Sequence, residues 1–155
     1  MHLFLFLVLP LSYAAPDGDA VVEDPGLVSA PVPGALTPPM GSIPEEVLLA
    51  ARDAALLPLA ARIKAVSEPL LGAPYVNDPL GEGTGVDADP LARYDVFDCL
   101  TFVEEVLALS FAAEPTHAAW IRQSLRYGDA EPSYVHRHHF MELQWIPANV
   151  EAGWI

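Results

Sequence analysis

Apolar residues recur at helical intervals in several separate stretches of the chain. Val47, Leu48, Ala51, Ala55 and Leu56 share one such pattern, which predicts an amphipathic helix. Ser42 stands where its N-cap would fall, Pro44 in its first turn, and Glu45 and Glu46 against its positive end. Pro58 should end or kink that helix, and a second runs from Leu59 to about Leu71. The strongest pattern spans Cys99 to Ala112. Leu100, Val103, Leu107 and Phe111 line one face and Phe102, Val106 and Leu109 another, leaving Thr101, Glu104, Glu105 and Ser110 as the polar positions. A helix apolar around most of its circumference belongs inside a domain. A further helix is predicted over Pro115 to Leu125, a turn at Gly128-Asp129, a strand over Ser133 to Phe140, and an irregular or helical end over Met141 to Val150. The segment Gly72 to Asp98, with Gly81 to Asp89 rich in Gly and Asp, reads as loop with a short extended piece near Tyr75 and Val76. No internal repeat is present.

Helices first and strands late give an α+β class. One late strand cannot make a sheet able to cover the Cys99 helix, so the sequence reads as the helix-rich part of such a fold, with the β-sheet half largely missing. Residues 43–155 form the domain in this reading. Ahead of it, residues 15–42 are rich in Pro, Gly, Ala and Asp without periodicity, as a disordered linker would be. Residues 1–14 read as a signal peptide. Leu3 to Leu11 is apolar but too short to span a bilayer as a mature helix, and Ser12-Tyr13-Ala14 places small residues for cleavage after Ala14. His2 and the terminal amine are the only positive charge before it. The expected location is therefore exported, periplasmic or extracellular, with no stable membrane insertion after cleavage.

The formal net charge of −14 changes the list of partners. It excludes nucleic acid, which requires a basic face, and electrostatic docking on anionic lipid. The charge is uneven: Arg122, Arg126 and Arg137 lie beyond residue 115 with His117, His136, His138 and His139. An exported chain with one cysteine has no internal disulfide to form. That thiol is either a core residue or a reactive group.

Cys99 falls in the first turn of the buried helix. Unpaired N–H groups and the positive end of the helix dipole favour a thiolate there, and Asp98 can cap the helix and fix where the sulfur points. The negative charge of Asp98 opposes the thiolate, so a cationic imidazole partner is required. By spacing alone a single cysteine is more often structural than catalytic.

The surrounding residues add a resemblance. Asp98-Cys99-Leu100-Thr101-Phe102-Val103-Glu104 resembles the nucleophile motif of NlpC-type peptidoglycan hydrolases, and Leu71-Gly72-Ala73-Pro74-Tyr75 resembles the Gly-x-Pro-Tyr segment that precedes it in the same superfamily. Leu125-Arg126-Tyr127-Gly128-Asp129, and the run from Arg137-His138-His139-Phe140 through Trp145-Ile146 to Asn149, narrow the likeness. Together they resemble the N-acetylmuramoyl-L-alanine amidase-like branch (domain of unknown function 1460), over about Glu45 to Ile155. The resemblance implies a papain-like fold and an exported cysteine hydrolase cutting an amide in peptidoglycan or a muropeptide, with no cofactor. It implies that Cys99 attacks the carbonyl to give a thioester, and that its backbone N–H helps to hold the oxyanion. Tyr75 would sit beside the sulfur and assist; its other reading is a packed turn residue after Pro74. Arg126, Arg137, His139 and Trp145 would orient substrate or bond neighbouring backbone.

One element of that likeness is missing. The family's catalytic histidine lies downstream in a Ser/Asp-His-apolar-Gly context, and this sequence contains no such motif. The expectation is a nucleophile-bearing half, with a non-catalytic remnant or wall-binding module as the alternative. His138 or His139 serving Cys99 as base is a further reading. A metal site is another: on a strand His136 and His138 would share a face, but no third ligand has suitable spacing. Glu104 and Glu105, more than a helical turn beyond the nucleophile, read as helix-face carboxylates paired with Arg122 or Arg126, and His117 as a residue of a solvated face.

Overall fold

The computed structural model describes residues 26–27 and 43–155. The signal-peptide and linker readings therefore fall outside the described residues, apart from Gly26 and Leu27, whereas the cap of the first helix is Pro44, not Ser42 with Pro44 inside the first turn. Among the described residues five α-helices follow in order: α1 Glu45–Ala54, α2 Leu59–Ser67, α3 Cys99–Phe111, α4 Ala118–Tyr127 and α5 Ile146–Glu151. Pro44 and Pro58 stand immediately before α1 and α2, where a residue with fixed φ and no N–H costs a helix nothing. Single 3₁₀ turns prolong α2 over Glu68–Leu70 and lead into α4 over Pro115–His117, and a π-helical turn over Met141–Trp145 leads into α5. Among the described residues no helix is long and apolar enough to cross a membrane.

The core is built around α3. Val106, Leu109 and Phe111 meet Val47, Val66 and Leu70 from α1 and the α2 region, and Ile121 and Leu125 from α4. Phe97 closes the N-terminal end of α3, edge-on to Phe102 with ring centroids 5.4 Å apart. The helix buries most of the positions its apolar pattern indicated, with two departures. Val103 is 41% exposed, whereas Glu104 and Glu105 are each 1% exposed. The pairing expected with Arg122 and Arg126 is present and is what lets them be buried: Arg122 pairs with Glu105, and Arg126 Nε lies 3.2 Å from Glu104. Arg122 and Arg126 lie one turn apart on α4, so a single face of that helix meets both carboxylates.

The strand expected over Ser133 to Phe140 is absent. Among the described residues the extended pairings are isolated bridges, Tyr75 beside Phe97 and Thr84 opposite Asp87. At Ser133 the chain turns instead, its carbonyl accepting from the N–H groups of His136 and Arg137. Arg137 then points inward, 6% exposed. Its guanidinium donates to Glu82 (2.8 Å), Asp87 (2.5 Å), Asp78 (3.3 Å) and the Leu80 carbonyl (3.3 Å). One side chain so spends its donors on the Gly/Asp-rich loop, and alternation along the segment is sacrificed to that demand. The expected α+β class is thus met on its helical side only: the described structure is helix-rich.

Loop 78–91 owes its shape to this clamp. Gly81 donates to the Pro90 carbonyl, Glu82 to Asp87 and Gly83 to Asp89. A Cβ on Gly81 would lie 2.8 Å from the Asp87 carbonyl oxygen, so only glycine allows the two sides to close. Burial raises the Asp87 carboxyl, but the Arg137 hydrogen bond and the Asp89 N–H outweigh it and hold Asp87 below its ordinary value. Arg137 loses from burial yet is held more firmly protonated by Glu82 and Asp87.

Candidate active site

Cys99 is the first residue of α3 and is exposed. Asp98 before it has extended backbone, and its Oδ1 accepts from the Thr101 N–H at 2.7 Å while its own N–H donates to Thr101 Oγ1 at 2.9 Å. This reciprocal box satisfies two otherwise orphan donors and fixes the direction in which the chain enters the helix. The Asp98 carboxylate is therefore turned to the helix backbone.

The other wall comes from the segment after α2. Leu71 (φ −66°, ψ 136°) and Gly72 (φ +89°) form the corners of a type II turn closed by the Ala73 N–H to the Leu70 carbonyl at 3.4 Å. The chain then runs beside Phe97: the Phe97 N–H donates to the Pro74 carbonyl at 3.1 Å and the Val76 N–H to the Phe97 carbonyl at 3.0 Å. This bridge holds Tyr75, 69% exposed, at the mouth of a cleft of about 260 Å³. Cys99, Asp98, Tyr75 and Gly72 line it with Leu70 and Phe102. Gly72 explains the glycine of the Gly-x-Pro-Tyr segment, because the second corner of a type II turn needs positive φ. Gly72→Ala is expected to destabilise the fold by about 1 kcal/mol and to alter the rate of Cys99 alkylation by displacing Tyr75. Denaturant unfolding and iodoacetamide kinetics check it; wild-type values in both would show that the turn does not set the cleft.

The structure thus brings Cys99 and Tyr75 together and places the other expected site residues elsewhere. Arg126, Arg137 and Trp145 are buried and none lines this cleft. Trp145, expected to orient substrate or bond neighbouring backbone, is 4% exposed and donates its indole N–H to Glu104 at 2.9 Å. His139 is exposed, its ring tilted against that of Tyr134 with centroids 4.5 Å apart, and Nε2 lies 2.6 Å from the Tyr134 carbonyl. Neither His138 nor His139 lines the Cys99 cleft. With no strand at 133–140, His136 and His138 share no strand face; His136 Nδ1 lies 3.0 Å from Ser133 Oγ. Among the described residues no three His, Cys, Asp or Glu gather as a metal site. His117 is half-buried rather than on a solvated face.

With this geometry in hand, comparison with known proteins is informative. The model of the N-acetylmuramoyl-L-alanine amidase-like (AmiA-like) family matches residues 65–154. The chain belongs to this family.

Among solved structures, the crystal structure of protein LPG0564 from Legionella pneumophila str. Philadelphia 1, of the DUF1460 family, is similar, with a TM-score of 0.63 and 30% identity. The match covers 69% of this chain and 36% of that one, so the amidase-like chain spans about a third of the length of its structural neighbour. None of the curated proteins matches. The family match begins within α2 and takes in the turn at Gly72, Cys99 and the buried Arg/Glu network.

That network is the part of the amidase-like domain that sequence reasoning underestimated. Asn149 donates to the Leu125 and Trp145 carbonyls, and Tyr127 to Glu82 at 2.9 Å. Burial pushes the Tyr127 hydroxyl up to about 12, the Glu82 carboxylate adding to the effect. Burial also pushes Glu104 up to about 7, against the opposing pull of Arg126 and the Trp145 N–H. Between the ordinary value near 4.5 and about 7, the folded chain holds this proton and the unfolded chain does not. Unfolding then releases a proton, and stability falls as pH rises across that window, by up to about 3 kcal/mol. Glu104→Gln keeps an acceptor for Trp145 but cannot titrate. Thermal unfolding between pH 4.5 and 7.5 should show a steeper loss of stability in the wild type than in E104Q; equal slopes would assign the pH dependence elsewhere.

Proposed function

We propose that this chain carries the nucleophile of a cysteine amidase acting on peptidoglycan or a muropeptide. One observation carries the reading: the single cysteine stands exposed at the start of a buried helix, in a cleft shared with Tyr75. Family membership supplies the reaction class. The Cys99 thiolate attacks the amide carbonyl, and the helix N–H groups that lack internal partners face the developing oxyanion. The C–N bond breaks, the amine leaves with a proton, and the acyl group stays on sulfur as a thioester. Water then releases the carboxylic acid and regenerates the thiol. Tyr75, at the cleft mouth, assists the oxyanion or the substrate. The papain-like arrangement of the NlpC superfamily, and export to the compartment where the wall lies, belong to the same proposal.

Two of the arginines take a different role in it. Arg126 and Arg137 are committed to internal carboxylates, so with Trp145 they hold the domain that presents Cys99. His139 retains an accessible position for contact with substrate. Mass spectrometry of acid-quenched mixtures with muropeptides should find the acyl group on Cys99. Cleavage by protein whose Cys99 has been fully alkylated would overturn the reading.

A second reading, a wall-binding module without catalysis, draws on the lack of any histidine among the residues lining the Cys99 cleft. It predicts retention on isolated cell walls with no amine released, and slow alkylation of Cys99.

A further inference from the structure

A second cleft, of about 370 Å³, lies between α4 and the C-terminal segment. Trp120 and Trp154 form its apolar wall, and Ser124, Asp129 and His138 add polar groups. Trp154 packs on Phe111, the last residue of α3, with ring centroids 5.6 Å apart. Cys99 is the first residue of the same helix, and no residue lining one cleft lines the other, so the two clefts are separate.

The chemistry of this cleft is mixed and unspent. The two indoles meet edge to face, centroids 6.2 Å apart and planes at 71°, so they offer an open ring face rather than a closed box. The Ser124 hydroxyl and the Asp129 carboxylate bond no other described residue. His138 lines the cleft and is anchored there by its own N–H to the Arg126 carbonyl at 2.9 Å.

We propose that this cleft binds a neutral pyranose ring of a glycan. The C–H face of the sugar lies on the indole wall, its hydroxyls donate to the Asp129 carboxylate, and Ser124 and His138 complete the hydrogen bonds. Asp129 and the overall net charge of −14 select against an anionic ligand. A cation would be better served by several aromatic faces around it than by this open pair. The inference goes beyond the amidase reading and does not depend on it. If both hold, the glycan and the scissile amide of one polymer occupy two separate clefts.

The test is titration of the full chain with a β-1,4-linked N-acetylglucosamine trimer, read by intrinsic tryptophan fluorescence. Trp145, bonded to Glu104 away from the cleft, gives a constant background. A saturable change is expected, with affinity reduced about tenfold or more in Asp129→Ala. Asp129 is exposed, so this variant keeps the fold, which circular dichroism checks; Trp120→Ala should lose the response. No saturable change in the wild type, or equal affinity in D129A, would overturn the proposal. So would a response to choline in place of the trimer, which would mark a cation site. Cys99 alkylation measured on the same samples reports the other cleft: a silent titration with fast alkylation overturns the glycan site alone.

Discussion

Replacing Cys99 by alanine is expected to reduce amide hydrolysis by at least about a thousandfold while leaving the fold unchanged. No other residue lining the cleft with Tyr75 carries a thiol, so no side chain can take over the acyl group. The change is close to neutral for stability, because Cys99 is exposed and its sulfur fills no core space; substitutions of this kind fall within about 0.5 kcal/mol. The helix cap does not depend on the side chain either, since Asp98 and Thr101 form it between themselves. Muropeptide cleavage followed by chromatography, together with a urea melt of the same preparation, separates the two effects. Cleavage at the wild-type rate by a folded C99A variant would remove the thioester from the mechanism. Cys99→Ser should recover little, a hydroxyl being a far poorer nucleophile than a thiolate at neutral pH.

The largest effect on stability is expected from Glu105→Ala. Arg122 and Glu105 are 3% and 1% exposed and face each other across the α3–α4 interface. Beside them, burial and the adjacent Glu105 carboxylate push the Tyr94 hydroxyl well above the usual tyrosine range. The Arg122 guanidinium is likewise held charged: burial works against it, and the Glu105 carboxylate outweighs burial. Removing that carboxylate leaves a buried cation with no counter-charge, at a cost of about 3–5 kcal/mol. Against a typical total of about 5–15 kcal/mol, such a loss brings the domain near unfolding. Removing both partners, as Glu105→Leu with Arg122→Leu, should cost far less, since the desolvation of two charges disappears along with their attraction. Urea midpoints of the two single variants and the double variant decide the matter. Additive losses would show that the pair is not coupled.

The Arg/Glu network explains why the Cys99 helix could be read so well in outline and less well in its facing. The glutamates of Cys-Leu-Thr-Phe-Val-Glu-Glu carry no mark of burial, and an apolar count turns them to solvent. Their partners lie on α4, and the pairing of Glu104 and Glu105 with Arg126 and Arg122 is visible only as a plausible match of charges. That both pairs are internal, and that Val103 is left exposed in exchange, depends on how α4 is rotated against α3. The same applies to Arg137. Its sequence neighbours suggested a strand edge and a substrate contact. In the structure it reaches Asp78, Glu82 and Asp87, more than fifty residues back in Asp78 and Glu82 and fifty in Asp87.

What the sequence by itself determined is local. The periodicity of apolar residues placed the helices to within a few residues. Asp98 announced the cap of α3, Gly72 and Pro74 the turn that carries Tyr75, and the motif around Cys99 the family. These features are legible because each is decided within one or two turns of chain, by φ preferences, capping hydrogen bonds and spacing. The tertiary structure alone decided which charges are buried. It turned Ser133 to Phe140 from an expected strand into an anchor for Arg137, drew Trp145 inside to Glu104, and set Cys99 and the Trp120–Trp154 pair in separate clefts. Burying a charge is governed by the partner that desolvation demands, and that partner comes from distant chain.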